Sequence, residues 1–324
     1  MKHYDVICIG EILVDIISQE AGKSLVETAK FTRFPGGAPA NVAVGLARLG
    51  QKVGFAGRVG EDFFGRFLLK HLRGENVITD CLIKDNEHQT RLAFVEVGAD
   101  AERSFEFYGK SPADLAFVAD DLPKSVLKKT KLLHFGSLAL TDEHSRQEFD
   151  RIIGRRGSDT LISFDPNYRA SLWKSEAEAF KILNSFAAKA HILKMDLDEA
   201  MLLCNCNSLA DVLKSLSFET TQIVAITLGS DGCVLKSATH KCRIPGFSVK
   251  AVDTTGCGDA FMAALIDGIL STGKQPRTLS KDELYKIGCR ANAAGAFTAM
   301  HYGAMSGLPT VAKLNEYIQS NMKT

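Results

Sequence analysis

An excess of charge of either sign is missing from this chain. Of its 324 residues, 39 are Lys or Arg and 38 are Asp or Glu, so the formal net charge is +1. A near-neutral surface has no global electrostatic reason to bind nucleic acid or an anionic membrane, and neither partner is expected. No apolar run approaches the roughly 18 residues a transmembrane helix needs. The first ten residues do not have a signal-peptide layout, because the apolar run is short and Gly10-Glu11 ends it. A disulfide framework is also missing. The eight cysteines are scattered, and the closest pair, Cys204 and Cys206, has no second pair or His at zinc-ligand spacing. Together these features predict a reduced, cytoplasmic protein.

Several catalytic signatures are absent as well. No Gly-x-Gly-x-x-Gly follows the first apolar run, which argues against a nicotinamide-dependent oxidoreductase. There is no Gly-x-Ser-x-Gly and no His-Glu-x-x-His. Residues 268–274 resemble a Walker A sequence but lack the final Ser/Thr and fall at a helix end. There is no proline-rich linker, low-complexity tract or internal repeat.

What is present is alternation. Short, β-rich apolar runs occur at 4–9, 53–56, 131–135, 160–164, 191–195 and 222–228. Helical periodicity occurs at 39–49, 63–73, 142–153, 176–188, 259–270, 282–300 and 311–320. Continuously apolar strands separated by amphipathic helices predict a doubly wound α/β domain, with a mostly parallel sheet covered on both faces. One domain over 1–324 is expected. The runs 91–97 and 103–108 flank a polar, Gly-containing turn and read as a β-hairpin. Residues 16–34 alternate weakly. Segments at about 12–35 and 88–110 are therefore expected to leave the main sheet as a small β-flap.

The most informative motif is Asp253-Thr-Thr-Gly-Cys-Gly-Asp259, at the start of a helix. Gly256 and Gly258 allow close backbone approach. The first helix amides lack intrahelical partners and, with the dipole, suit a phosphate. Asp259 in that first turn is badly placed for facing a polyanion unless it accepts the proton of a substrate hydroxyl. Its plainer role is to favour the helix N-terminus. Cys257 lies inside the same turn, where a helix N-terminus is expected to lower a thiol pKa, although a small tolerated residue is the simpler reading.

Other motifs cluster at expected strand ends, where ligands bind in open parallel sheets. Gly36-Gly37-Ala-Pro39-Ala-Asn41 opens a helix, with Asn41 available for hydroxyls. Asp15 follows the first strand. Asp165, Asn167 and Arg169 share one turn around Pro166. Thr227-Leu-Gly229-Ser-Asp-Gly232 reads as a hairpin turn that can also touch a nucleotide. Asp196 and Glu199, three apart, read either as a capping box or as carboxylates holding a hydrated Mg²⁺.

In this order, the segments resemble the ribokinase-like (PfkB) carbohydrate kinases over nearly the whole chain, with Gly36–Asn41 and Asp253–Asp259 the most specific. Phe164-Asp-Pro-Asn-Tyr-Arg169 with Leu172-Trp173 is closest to fructokinases. The resemblance implies transfer of the γ-phosphoryl group of ATP to a primary hydroxyl, that of fructose giving fructose 6-phosphate. It also implies Asp259 as catalytic base, Gly256, Cys257 and Gly258 as a backbone anion hole, and Arg169 as a basic residue near the phosphates. Asp15, Gly36, Gly37, Asn41, Asp165 and Asn167 would contact sugar, with Arg103 in a lid that closes over it. Thr227, Gly229, Gly232 and Asn292 would contact the nucleotide. Mg²⁺ would be held near Asp196 and Glu199 through water, and K⁺ near Asp253 and Thr255, as in many members. Edge pairing of two lids would make a homodimer. One departure stands out: the family's Asn-x-x-Glu reads Asp196-x-x-Glu199 here. Kinases of the same fold acting on 2-keto-3-deoxygluconate, ribose or a nucleoside, and a non-catalytic sugar or nucleotide sensor, are the alternatives.

Overall fold

The computed structural model describes residues 4–98, 103–109, 111–217 and 219–321. In chain order its strands are β1 (Val6–Ile9), β2 (Leu13–Ser18), β3 (Phe31–Gly36), β4 (Val53–Gly60), β5 (Ile78–Asp85), β6 (Leu92–Val97), β7 (Arg103–Tyr108), β8 (Leu132–Gly136), β9 (Leu161–Asp165), β10 (Ile192–Asp196), β11 (Ile223–Thr227), β12 (Cys233–Lys236) and β13 (Lys241–Ile244). The helices are α1 (Ala38–Arg48), α2 (Phe63–Gly74), α3 (Lys124–Leu127), α4 (Glu143–Arg155), α5 (Glu176–Ala187), α6 (Leu197–Cys204), α7 (Leu209–Ser215), α8 (Cys257–Ser271), α9 (Lys281–Ala299), α10 (Ala304–Gly307) and α11 (Val311–Asn321).

Nine strands form one sheet in the order β13-β12-β11-β10-β9-β8-β1-β4-β5. Pairings from β5 to β11 are parallel, and β12 and β13 close the far edge as antiparallel strands. Strand β1 shows why the sheet is covered twice. All four of its residues are buried. Val6 and Cys8 join the core that includes α1, α8 and α9, while Ile7 and Ile9 join the core that includes α4 and α5. A period of two sends alternate side chains to opposite faces, so a continuously apolar strand needs a layer on each. Helix starts are set locally: Asp62, Asp142, Ser175 and Ser280 cap α2, α4, α5 and α9 with their own side chains.

From β1 the chain winds outward to β4 and β5 on one side, then returns to β8 and winds outward through β9, β10 and β11 on the other. The reversal lies between β1 and β8. Such a switch point opens a crevice at the carboxyl ends of the strands. A second sheet, β3-β2-β6-β7, is built from the segments that leave the first between β1 and α1 and between β5 and α3. Among the described residues, no helix is long and apolar enough to cross a membrane.

The weakly alternating segment 16–34 joins the small sheet as expected: β2 and β3 pair antiparallel from Leu13↔Gly36 to Ser18↔Phe31, joined by an irregular connection. The structure departs from the expected elements in three places. Strand β5 was not anticipated, because an edge strand carrying Thr79, Asp80, Lys84 and Asp85 shows no continuous apolar run. β13, α6 and α7 were not anticipated, being only 4, 8 and 7 residues long. The Asp253–Asp259 motif does not directly follow a strand, since β13 ends at Ile244, well before Gly256. The turn expected at 98–102 falls mostly on 99–102, which lie outside the described residues.

Candidate active site

Helix α8 begins without a side-chain cap. Its N-cap, Gly256, has φ 80°. A Cβ there would lie 2.8 Å from the Ala304 Cα, so both backbone conformation and space call for glycine. The Cys257 amide donates to Thr254 O at 3.2 Å. The Gly258 and Asp259 amides, in the first turn, have no i−4 acceptor within the helix. They leave an anion cradle at the positive end of the helix dipole.

Asp259 stands beside that cradle and is 8% exposed. Its Oδ2 accepts from Asn41 Nδ2 of α1 at 2.7 Å. Burial pushes its pKa up to about 6. The Asn41 bond works against that rise, Asp165 adds to it, and Lys194 and Arg169 oppose it. The carboxylate is therefore poised near neutrality, where a general base is most effective. Cys257 behaves opposite to expectation. Burial, reinforced by Asp253 and Asp259, pushes its thiol up to about 12, which outweighs the helix terminus.

The turn before α1 brings two further residues alongside. A Cβ on Gly36 would sit 2.1 Å from Asp15 Oδ2, so the Asp15 carboxylate lies against bare backbone. Gly37 has φ 104°, and a Cβ there would meet Glu11 O at 2.6 Å. The Oδ1 of Asn41 and the Oε2 of Glu11 are buried with no partner. Sequence reasoning left Glu11 without a role, yet its Oε1 accepts from Ala38 N at 3.2 Å and so caps α1 from another strand end. Burial raises its carboxyl to about 8.

At the end of β9, Asp165 is buried and its Oδ2 accepts from Lys194 Nζ at 2.9 Å. Asp165 Oδ1 is a third buried oxygen with no partner. Asn167 has φ 44° and is half-buried. Arg169 is exposed. It donates to Tyr168 O at 3.1 Å, and its guanidinium lies 6.0 Å from the centroid of the Phe105 ring in the small sheet. Arg103 begins β7, and its side chain lies outside what the structure describes. Lys194 was missed by sequence reasoning. Its signal was a lone charge inside the apolar run of β10.

Asp196 and Glu199 form a capping box at α6. Asp196 Oδ1 accepts from Glu199 N at 2.8 Å, and Glu199 Oε2 accepts from Asp196 N at 3.0 Å. The Glu199 Oε1 also accepts from Tyr168 N at 2.6 Å. Burial, with repulsion from Asp165, raises Glu199 to about 7. Asp196 is exposed and lines a pocket of about 430 Å³ with Thr227, Gly229, Asp231 and Arg243. Gly229 and Gly232 have φ of 57° and 96°. Asn292 is placed differently from the pocket residues. Its amide donates to Ile244 O and Pro245 O at 3.3 and 2.9 Å, fixing the chain as it leaves β13. Asp253 accepts from Thr255 N at 2.9 Å and from Gly303 N at 2.8 Å, tying the loop before α8 to the turn after α9.

The geometry thus brings a buried carboxylate, the uncapped start of α8 and three buried oxygens with no partner together, and a pocket of about 430 Å³ is lined by residues at the ends of β10 and β11. Known proteins similar to this chain fall in one family. Residues 4–311 match the model of the pfkB family of carbohydrate kinases. Fructokinase-1 of Zea mays is 37% identical over 317 residues, covering 97% of each chain. The structure of a fructokinase from Vibrio cholerae O395, bound to fructose, ADP and calcium, superposes with a TM-score of 0.85 at 32% identity, covering 97% of this chain and 98% of that one. An uncharacterized sugar kinase from Pyrococcus horikoshii in complex with ATP superposes with a TM-score of 0.84 at 34% identity, covering 97% and 99%. The chain belongs to the pfkB family of carbohydrate kinases.

Proposed function

We propose that this enzyme is an ATP-dependent fructokinase that forms fructose 6-phosphate. The observation that carries the chemistry is the buried Asp259 carboxylate, held by Asn41 beside the uncapped start of α8. In this reading Asp259 orients the sugar hydroxyl and accepts its proton as the phosphoryl group arrives. The Gly256–Gly258 backbone receives phosphoryl charge, and an in-line transfer needs little else from the protein. Asp15, Asn41 and the unpartnered oxygens around them hold the sugar hydroxyls. Thr227, Gly229 and Gly232 border the nucleotide phosphates, and the Asn292-held segment shapes the base end. Fructose as the sugar rests on the fructokinase relatives.

A divalent ion that arrives with the nucleotide fits the donor set at α6 through water. Three of the four oxygens of Asp196 and Glu199 accept amide hydrogens. No group of three or more His, Cys, Asp or Glu among the described residues is arranged to hold a metal directly. Mg²⁺ there would offset phosphate charge. The tied loop at Asp253 and Thr255 is the segment that would hold K⁺.

The small sheet acts as a lid in this reading. Its inner face carries Asp15, Phe34 and Phe105, and Arg169 already reaches Phe105. Its outer face carries an aromatic row. Phe31 and Phe94 meet edge-on at 5.9 Å, and so do Phe94 and Tyr108 at 6.0 Å. Tyr108 is 68% exposed. A second copy of this chain pairing lid to lid would cover that row, and a monomeric mass by light scattering would refute it.

The deciding experiment is ADP release with Mg²⁺, ATP and K⁺ over fructose, ribose, 2-keto-3-deoxygluconate, fructose 6-phosphate, adenosine and no sugar. Fructose-dependent release well above the others is expected. Stronger turnover on another sugar would replace the substrate and keep the mechanism. Folded protein that binds ATP but turns over none of them would point to a sensor.

A further inference from the structure

Lys194 is the buried charge that the reaction above leaves unused. It lies in β10 between buried Leu193 and Met195 and is itself 6% exposed. Burying an ammonium is costly unless it is paired, so a position with apolar neighbours on both sides does not carry one without cause.

Three carboxyls surround it: Asp165 from β9, Glu199 from α6 and Asp259 from α8. Of these, Asp165 Oδ2 accepts directly at 2.9 Å. An ammonium has three donors, so this bond uses one. On its other side the ammonium stands against the cradle. A Cβ on Gly258 would lie 3.0 Å from Nζ and 3.7 Å from Cε. Arg169 is less well placed, being exposed and occupied by Tyr168 O and the Phe105 ring.

We infer that Lys194 is a catalytic residue: its ammonium donates to an oxygen of the phosphoryl group in flight, from the floor of the anion cradle, while Asp165 holds it in place. This rests on the kinase reading. A bond forms between the sugar oxygen and the γ-phosphorus as the bond from that phosphorus to the ADP oxygen breaks. The hydroxyl proton passes to Asp259. Lys194 transfers no proton; it offsets charge that three carboxyls nearby would otherwise repel.

The test uses the full-length enzyme and compares Lys194→Met with wild type. Loss of one preorganised donor to a transition-state oxygen lowers turnover by about 10²–10³-fold, so that drop in kcat is expected. KM for fructose and for ATP should move less than about threefold, because the contact forms during transfer rather than in the ground state. Binding of ADP with tetrafluoroaluminate and fructose, a mimic of the planar phosphoryl group, should weaken in parallel with kcat. Lys194→Met strands the Asp165 carboxylate, and the variant can fail to fold for that reason alone. The pair Lys194→Met/Asp165→Asn removes that charge and is compared with Asp165→Asn. If the pair is as fast as Asp165→Asn, or if folded Lys194→Met keeps more than a tenth of wild-type kcat, Lys194 only balances Asp165 and the inference fails. Wild-type protein that phosphorylates no sugar would defeat the kinase reading instead.

Discussion

Two helices start at the same edge of the large sheet, and they treat their N-termini in opposite ways. α6 is closed: Asp196 and Glu199 satisfy each other's amides reciprocally. α8 is open: Gly256 offers no side chain, and the Gly258 and Asp259 amides have no acceptor from within the helix. Both ends carry the same dipole and both carry carboxylates. Only one can take an anion without breaking a hydrogen bond. The comparison teaches that a capping residue does more than start a helix. At a strand-end crevice it decides whether that helix binds its own side chain or a ligand. α1 is intermediate, because Glu11 caps it from the end of another strand.

The sharpest way to break this contrast is to neutralise the carboxylate at the open end. Asp259→Asn should lower kcat by about 10³-fold, within the range general-base catalysis supplies. Its melting temperature should change little, because Asn fills the same space and can still accept from Asn41. A folded Asp259→Asn enzyme running within tenfold of wild type would remove the base from the mechanism.

Deforming the open end comes next. Gly256→Ala places a β-carbon at φ 80° and 2.8 Å from the Ala304 Cα. The backbone must shift, and a misplacement of this kind costs about 10²-fold in rate. The strain also costs about 1–3 kcal/mol. A crystal structure showing an unmoved cradle, or kinetics within threefold of wild type, would contradict this.

The pH profile tests the open end without mutation. Burial raises the Asp259 carboxyl to about 6. Because the ionised form is the base, rate should rise with pH through that value. With one group of that pKa, kcat/KM at pH 5 should be about tenfold below its plateau. Asp259→Asn should lose this limb. A flat profile between pH 5 and 7 in wild type would exclude Asp259 as the titrating group.

At the helix ends closed by carboxyls, stability reports the cap. Asp196→Ala opens the capping box and should cost about 1 kcal/mol, whereas Asp196→Asn keeps the cap and should cost less. Equal melting temperatures for the two would deny the box. Glu11 gives the mildest test. Burial holds its folded pKa near 8, above its unfolded value, so the folded state retains a proton that the unfolded chain has lost. That contribution is fully present below the unfolded pKa and is lost as pH rises through about 8. Glu11→Gln should therefore raise the melting temperature by a few degrees at pH 9 and leave it nearly unchanged at pH 4, as followed by thermal denaturation.

Much of the fold was legible because it depends on local pattern. The apolar runs at β1, β8, β9, β10 and β11 are long enough to announce buried parallel strands, and the longer helices α1, α2, α4 and α5 carry a clear stripe. β5 escaped because Thr79, Asp80, Lys84 and Asp85 interrupt its apolar pattern on both faces. The flap segments holding β2 and β3 were legible only as weak alternation, because one face carries Asp15 and Thr32 as well as apolar residues. At the site, the uncapped helix start with Gly256 at its head and Asp259 in its first turn could be read directly, since that arrangement is set within one turn. The surroundings of Lys194 could not be read, because its direct partner Asp165 lies 29 positions away on β9 and Gly258 lies 64 positions away on α8.

By itself, the sequence determined the doubly wound class, several helix starts and the glycine turn that opens α8, all of which follow from interactions among residues a few positions apart. The tertiary structure alone decided that Asn41 holds Asp259, that Glu11 caps α1, that burial and nearby carboxylates raise the Cys257 thiol and that Lys194 lies beneath Gly258. Those outcomes depend on burial and on charges brought together from distant segments. The cost of an unpaired group in a low-dielectric interior is set by its final neighbours, which no local pattern encodes.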